Sequence, residues 1–292
     1  MQRLARNRMQ QTASTLRNPQ DGFELFTQTW KPGKNKPKFV VVIQHGFGEH
    51  SGRYNNIIAA LEAEKAVVYA LDARGHGKTP GKRGHIDDFN VYADDLAVLI
   101  EKARKENGKL PMILLGHSMG GLIATLAALK SNIAKELSGL VVSSGAFKPA
   151  LDTVQAIKKA IGTVLARVAP AMTVPAGLDV KLISRDDNVV QAYQNDPLVH
   201  GKISMKMGVD LFATGKQLLN EASRITLPVL VFHGDADGIA LAEGSREFFQ
   251  GLSSKDKTLK IYPGFYHETM NEPLGDRKQV ISDIINWIKK HV

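Results

Sequence analysis

Short apolar runs alternate with longer helical patterns from residue 38 to the C-terminus. Each run is brief, continuous and rich in β-branched residues, as expected of strands that are covered on both faces. The pattern therefore predicts an α/β fold with a mostly parallel central sheet flanked by helices. An additional antiparallel strand is predicted near residue 22. The predicted parallel strands cover residues 38–45, 67–72, 112–116, 139–144, 228–234 and 258–263.

The alternation is interrupted over residues 145–226. A segment of that length is too long for a loop within a compact domain. Apolar residues at helical spacing form one face of residues 154–168 and recur at 205–219. We therefore predict a helical cap inserted into a core formed by residues 21–144 and 227–292. The second apolar stretch of the cap could pack on the core or line a lipid-binding cavity.

The composition is that of an ordinary globular protein, since 43% of the 292 residues are hydrophobic and 23% are charged. These values exclude a disordered or collagen-like chain. The absence of cysteine excludes disulfides, thiolate catalysis and thiolate metal sites. No run approaches the ~18 apolar residues that a membrane-spanning helix needs. We therefore expect a cytoplasmic or membrane-peripheral protein.

The first twenty residues form a basic segment with four arginines and no acidic residue. The apolar region of a secretory signal is missing from it. We expect residues 1–20 to be a basic tail, with an organelle-targeting segment as the alternative. The tail holds nearly half of the net charge of +9. The rest of the chain has no clustered arginine and aromatic motif, so we expect no nucleic-acid partner.

The strand predicted at residues 112–116 continues directly into the sequence GHSMGG. Gly116, Ser118 and Gly120 thus form a G-x-S-x-G motif between a strand and a helix of small residues. In such a nucleophile elbow the turn is so tight that the residues two before and two after the serine must be small, and its strain exposes the serine hydroxyl. The motif predicts that Ser118 is a catalytic nucleophile.

A serine nucleophile needs a histidine base that is held by a carboxylate. Suitable residues follow in that order: Asp235 and Asp237 come directly after one predicted strand, and His267 after the next. Loops at the carboxyl ends of parallel strands are where such sheets place catalytic groups. We favour Asp237, which lies one turn beyond the strand end, as the partner of His267. Asp235 is then a turn-capping residue.

Acyl transfer also requires two N–H donors for the developing oxyanion. We assign one to the backbone N–H of Met119, directly after the nucleophile. The other is assigned to the backbone N–H of Phe47 in the glycine-rich sequence HGFGEHSGRY. This sequence lacks the G-K-[ST] ending of a phosphate-binding loop. The predicted mechanism requires no metal and no organic cofactor.

These motifs resemble those of the serine-hydrolase branch of the α/β-hydrolase fold, specifically the monoacylglycerol lipase and lysophospholipase-like family. The resemblance extends from about residue 20 to the C-terminus. It implies Ser118 as nucleophile, His267 as general base and then acid, and Asp237 as its orienting carboxylate. It also implies that the cap is a lid over an acyl tunnel, with an outer face that is often apolar enough to rest on membranes. The resemblance rests on HGFGEHSGRY, DARGHGKTPGKRG, GHSMGG, SRDDNVVQAYQNDPL and KTLKIYPGFYHE.

The resemblance also covers residues near the polar head of the substrate. Glu49, Arg53 and Tyr193 match such positions in the family, and a structural salt bridge with a packed tyrosine is the alternative interpretation. Monoacylglycerol lipases of the animal type have a second histidine three residues after the catalytic one, where this chain has Met270. The resemblance therefore supports the catalytic mechanism more strongly than it supports recognition of a glycerol head.

A carboxylic-ester hydrolase that cleaves monoacylglycerols through an acyl-enzyme is the function that the resemblance implies. One alternative is a lysophospholipase or general carboxylesterase with the same triad, and another is a hydrolase-fold binding module without turnover. The expected partners are an acyl-glycerol or lysophospholipid substrate and, through the cap and the basic tail, an anionic membrane. Fold and triad alone do not determine the substrate.

Overall fold

An eight-stranded sheet forms the centre of the protein in the computed structural model, which describes residues 9–150 and 166–292. The strands are β1 (Gln10–Arg17), β2 (Glu24–Lys31), β3 (Phe39–Gln44), β4 (Ala66–Leu71), β5 (Met112–His117), β6 (Gly139–Ser143), β7 (Thr173–Pro175), β8 (Lys202–Ser204), β9 (Val229–Gly234) and β10 (Lys257–Tyr262). The central sheet has the order β1-β2-β4-β3-β5-β6-β9-β10. The pairs β1–β2 and β2–β4 are antiparallel, and the other pairs of this sheet are parallel.

All six predicted parallel strands are confirmed, with their ends shifted by no more than one residue from the sequence expectation. Their continuous apolar character follows from burial on both faces. In β3, Val40 and Val42 pack into the core on one side of the sheet, whereas Val41 and Ile43 pack into the core on the other side. All four side chains are fully buried, so the strand has no polar face.

Helices cover both faces of the sheet. Their bounds are α1 (Asn55–Ala63), α2 (Asn90–Asn107), α3 (Met119–Leu129), α4 (Ser131–Ala134), α5 (Asp187–Asn195), α6 (Met205–Glu221), α7 (Ala242–Gly251) and α8 (Leu274–Lys289). Buried side chains of α2, α3 and α7 belong to one core, and those of α1 and α8 belong to the other. Across the described parts of the chain, no helix has the length and apolar character needed to cross a membrane.

The strand β1 corrects the expectation that residues 1–20 form a tail. It pairs with β2 over its whole length at the edge of the sheet. Its side chains are exposed apart from one that is half-buried. An edge strand needs no buried side chains, because backbone hydrogen bonds to its neighbour can hold it in the sheet. The segment therefore lacks the alternation of apolar and polar residues that marks a half-buried strand in a sequence. Residues 1–8, with three of the four arginines of the expected tail, lie outside the described residues.

The described part of the predicted cap contains α5, α6 and a short antiparallel ribbon of β7 and β8, which the sequence did not indicate. Met207 and Leu218 of α6 are fully buried in the core beside the central sheet. At Gly215 the helix approaches the core so closely that an added Cβ would lie 2.6 Å from the carbonyl oxygen of Phe147. The second apolar stretch of the cap thus packs on the core. Most of the first, residues 154–168, lies outside the described residues.

Candidate active site

Ser118 lies in a sharp turn between β5 and α3. Its backbone has φ 55° and ψ −121°, a conformation that costs free energy for any residue with a Cβ. An added Cβ at Gly116 would lie 2.2 Å from the Gly120 carbonyl oxygen, and one at Gly120 would lie 2.3 Å from that of Gln44. The turn therefore tolerates only glycine at these two positions, which is the geometric requirement of a nucleophile elbow.

Asp237 and His267 are joined by a short hydrogen bond. The ring N–H at Nδ1 of His267 donates to Oδ2 of Asp237 at 2.6 Å. The other carboxylate oxygen, Oδ1, accepts the backbone N–H groups of Ile239 and Ala240 at 2.8 and 3.0 Å. Asp237 is thus fixed from both sides, and the loops that follow β9 and β10 bring it to His267 as the strand order predicted.

Asp235 has a different place in the same loop. Its Oδ1 accepts the backbone N–H of Gly264 at 2.6 Å. This bond ties the loop after β9 to the loop after β10. Asp235 therefore supports the turn, while Asp237 faces the histidine.

The charges of this pair stabilise each other. Burial alone favours the neutral carboxyl, but the charge of His267 and hydrogen bonds from His233 and His267 lower the pKa of Asp237 well below its usual range. Burial likewise disfavours the charged imidazole, yet the carboxylate of Asp237 outweighs it and raises the pKa of His267. The ionised Asp237 thus stabilises the imidazolium that forms when His267 takes a proton from a nucleophile.

A narrow cleft opens beside these residues. Ser118 and His267 both line it, together with the apolar side chains of Leu178, Ile183 and Ile239. His117 also lines the cleft, and its ring centroid lies 4.8 Å from that of His267. The structure therefore brings the predicted nucleophile and the predicted base to one cavity.

The two predicted oxyanion donors, the N–H groups of Met119 and Phe47, belong to two different segments next to Ser118. Met119 is the first residue of α3, where backbone N–H groups have no partner within the helix. Phe47 lines the cleft. Its N–H belongs to the peptide group between Gly46 and Phe47, and the carbonyl oxygen of that group accepts a hydrogen bond. Nδ1 of His45 lies 2.7 Å from the Gly46 carbonyl oxygen, to which it donates. Because N–H and C=O of a trans peptide point in opposite directions, this bond turns the Phe47 N–H away from His45.

Glu49, Arg53 and Tyr193 are close together, but their polar atoms are largely engaged with protein. The Glu49 carboxylate accepts the backbone N–H of Gly46 at 2.7 Å, the hydroxyl of Tyr54 at 2.7 Å and NH1 of Arg53 at 2.8 Å. The Arg53 guanidinium lies 4.5 Å from the centroid of the Tyr193 ring. These contacts correspond to the salt bridge and packed tyrosine of the alternative interpretation.

Two residues of this region were not identified from the sequence. Glu268 accepts two hydrogen bonds from Arg53, and His233 lies beside Asp237. Glu268 directly follows His267 in the chain, and His233 lies four residues before Asp237, so proximity to a predicted triad residue was the available signal.

Within residues 9–150 and 166–292, no group of three or more His, Asp or Glu residues is placed to hold a metal ion.

Comparison with known proteins identifies the family. A family model described as serine aminopeptidase, S33, matches residues 35–274. The monoacylglycerol lipase of Mycolicibacterium smegmatis is 39% identical over 272 residues, which are 93% of this chain and 95% of that protein. The chain belongs to the family that these two matches define. The resemblance inferred from the motifs is thereby confirmed, and the protein is a serine hydrolase that acts on carboxylic esters.

Solved structures of family members have the same fold. Monoacylglycerol lipase from Paleococcus ferrophilus is 37% identical, has a TM-score of 0.79, and the match covers 92% of this chain and all of that one. A soluble variant of monoglyceride lipase from Saccharomyces cerevisiae, in complex with a substrate analog, is 26% identical with a TM-score of 0.85. That match covers 98% of this chain and 96% of the yeast chain. The predicted α/β-hydrolase fold is therefore confirmed.

Proposed function

We propose that the protein hydrolyses monoacylglycerols to a fatty acid and glycerol. The observation that carries this proposal is the hydrogen bond between His267 and Asp237 at the same cleft as Ser118, whose backbone has the strained conformation of a nucleophile elbow. The monoacylglycerol lipases among its relatives, matched over nearly the whole chain, support the choice of substrate.

In the proposed reaction, Oγ of Ser118 attacks the ester carbonyl and its proton passes to Nε2 of His267, since Nδ1 is occupied by Asp237. The backbone N–H groups of Phe47 and Met119 stabilise the oxyanion. The protonated His267 then gives its proton to the departing glycerol oxygen, which leaves an acyl-enzyme. A water molecule, deprotonated by His267, hydrolyses the acyl-enzyme and restores Ser118.

The acyl chain occupies the apolar side of the cleft. Leu178, Ile183 and Ile239 line that side and offer the chain a surface on which its methylene groups leave water. Two of the three come from the predicted cap, so the cap residues take part in substrate binding. A role of the whole cap as a separate lid domain remains a prediction.

Contact with a lipid surface is a further part of the proposal. Three apolar side chains of the cap are unusually exposed: Val168 at 76%, Met172 at 41% and Leu178 at 43%. Because Leu178 also lines the cleft, a membrane that covers these side chains would face the cleft entrance. Replacing Val168 and Met172, which do not line the cleft beside Ser118, by serine is expected to weaken binding to vesicles and to leave hydrolysis of a short, water-soluble ester unchanged.

The substrate is tested with a monoacylglycerol and a lysophosphatidylcholine of the same acyl chain. We expect hydrolysis of the monoacylglycerol to be faster, and Ser118→Ala to abolish hydrolysis of both without a change in the circular dichroism spectrum. Faster hydrolysis of the lysophospholipid would assign the protein to the alternative substrate class. Full turnover by the alanine variant would overturn the assignment of the nucleophile.

A further inference from the structure

Arg53 joins two loops that carry predicted catalytic groups. Its NH1 donates to Oε2 of Glu49 at 2.8 Å and to Oε1 of Glu268 at 2.6 Å, and its NH2 donates to Oε2 of Glu268 at 2.9 Å. Glu49 belongs to the loop after β3, and Glu268 directly follows His267 after β10. Only about a tenth or less of each of the three side chains is exposed. The guanidinium therefore forms a buried connection between residues 215 positions apart in the chain.

Glu49, which Arg53 holds, fixes the loop after β3 at Gly46, the residue before Phe47. Oε1 of Glu49 accepts the Gly46 N–H at 2.7 Å, and the Gly46 carbonyl oxygen is held by His45. The backbone of Gly46 lies against the nucleophile, since an added Cβ would be 3.2 Å from Cβ of Ser118. A displacement of the Glu49 carboxylate would thus move the peptide that carries the Phe47 N–H.

The loop after β10 is fixed at the other end of the connection. Glu268 donates its backbone N–H to the Ile183 carbonyl oxygen at 2.7 Å, and its carboxylate also accepts Nδ2 of Asn271 at 2.8 Å. Its position determines where the preceding residue, His267, stands. Two buried carboxylates would repel each other without the guanidinium between them, and the planar fork of arginine is suited to bind both.

These contacts leave little of Arg53 for a substrate. Both of its terminal nitrogens donate to carboxylates, and the Tyr193 ring covers one face of the guanidinium. We propose that Arg53, with Glu49 and Glu268, is a positioning group that holds the oxyanion loop and the His267 loop in register, rather than a ligand of the substrate head. This proposal rests on the proposed function of Ser118 and His267, and we call the three residues the Arg53 brace.

The test compares Arg53→Lys with Arg74→Lys. Lysine keeps the charge but cannot span two carboxylates with a planar fork. Arg74 is a matched control, because its Nε and NH2 donate to Asp95, its NH1 donates to Asp21, and its guanidinium lies 4.1 Å from the Phe23 ring centroid. Its side chain is buried to a similar extent, with 12% exposed.

Three rates are measured for each variant: hydrolysis of a monoacylglycerol, hydrolysis of the methyl ester of the same fatty acid, and labelling by a fluorophosphonate. A misplacement of about 1 Å can cost up to about 100-fold in rate, so we expect Arg53→Lys to lower kcat at least about tenfold on both esters and to slow labelling by a similar factor. KM is expected to change far less than kcat. Arg74→Lys is expected to keep all three rates within about twofold of wild type.

A loss confined to the monoacylglycerol would overturn the proposal, because it would make Arg53 a ligand of the glycerol head. Equal losses in both lysine variants would also overturn it, because they would reflect general destabilisation. If Arg53→Lys does not fold, Glu268→Gln replaces it with the same expectation for kcat and labelling. A wild-type protein that hydrolyses neither ester contradicts the proposed function, while the fluorophosphonate labelling still tests the Arg53 brace.

Discussion

The Nε2 atom of His233 lies 2.8 Å from Oδ2 of Asp237, the same oxygen that accepts Nδ1 of His267. Nε2 of His233 also lies 3.0 Å from the Ala240 carbonyl oxygen. Both neighbours can only accept, so Nε2 carries a proton, and Nδ1 faces the hydroxyl of Ser245 at 2.7 Å. Two imidazoles therefore share the charge of one carboxylate oxygen whose side chain is fully buried.

Removal of the His233 donor is expected to change the basicity of His267. In His233→Leu the Oδ2 atom of Asp237 keeps one imidazole partner instead of two, so its charge acts more strongly on His267 and raises the pKa of that ring. The acid limb of the kcat/KM profile should then move to higher pH, by about half a unit to one unit. His233→Gln, which keeps an N–H donor, is the control. If the rate falls but the acid limb of the pH dependence of kcat/KM stays at the same pH, His233 only supports the fold.

Substitution of the two aspartates of the β9 loop distinguishes their roles. Asp237→Asn removes the charge that orients His267 and stabilises its protonated form, and it should lower kcat by about 10³-fold to 10⁴-fold. Asp235→Asn keeps an oxygen that can accept the Gly264 N–H, and its kcat should stay within about threefold of wild type. Steady-state kinetics on one soluble ester suffice for the comparison. The reverse order of losses would assign the catalytic carboxylate to Asp235.

Substitution of Gly120 in the nucleophile elbow is expected to lower the free energy of unfolding. In Gly120→Ala the new Cβ would meet the carbonyl oxygens of Gln44 and His45 at 2.3 and 2.4 Å, and the free energy of unfolding should fall by about 3 kcal/mol or more. Gly275→Ala in α8 meets no atom within 4 Å and should raise that free energy by up to about 1 kcal/mol. Urea denaturation of both variants provides the measurement. An unchanged midpoint for Gly120→Ala would contradict the packing described for the turn.

The buried carboxylate of Glu49 predicts a dependence of stability on pH. Burial opposes its ionisation, but Arg53 and other neighbours lower the pKa of Glu49 to about 2 from a usual value of 4.5. A carboxyl whose pKa is lower in the folded state contributes stability above its unfolded pKa and loses it as the pH falls through the folded pKa. The advantage of wild type over Glu49→Gln in unfolding free energy should therefore shrink between about pH 4.5 and pH 2. A difference that stays constant over this range would contradict the ionised state of Glu49.

Several features of the protein were determined by local sequence pattern. The six parallel strands are continuous apolar runs because both of their faces are buried, so their limits were predicted to within one residue. The G-x-S-x-G turn could be recognised because it requires glycine on both sides of the serine, and at Gly116 the requirement is local, since an added Cβ would lie 2.2 Å from the Gly120 carbonyl oxygen. The sequence also predicted the strand ends at which Asp237 and His267 lie, because loops at the carboxyl ends of parallel strands carry the catalytic groups of such sheets.

Other features were decided only by the tertiary structure. The edge strand β1 has no apolar alternation, because its pairing depends on backbone groups that every sequence offers. The salt bridge of Arg53 has Glu268 as a partner, which lies 215 positions from Arg53 in the chain and is brought to it by the fold. Sequence periodicity reports which face of an element is buried, whereas the partner of a buried charge is determined by the packing of distant loops, and no local pattern encodes it.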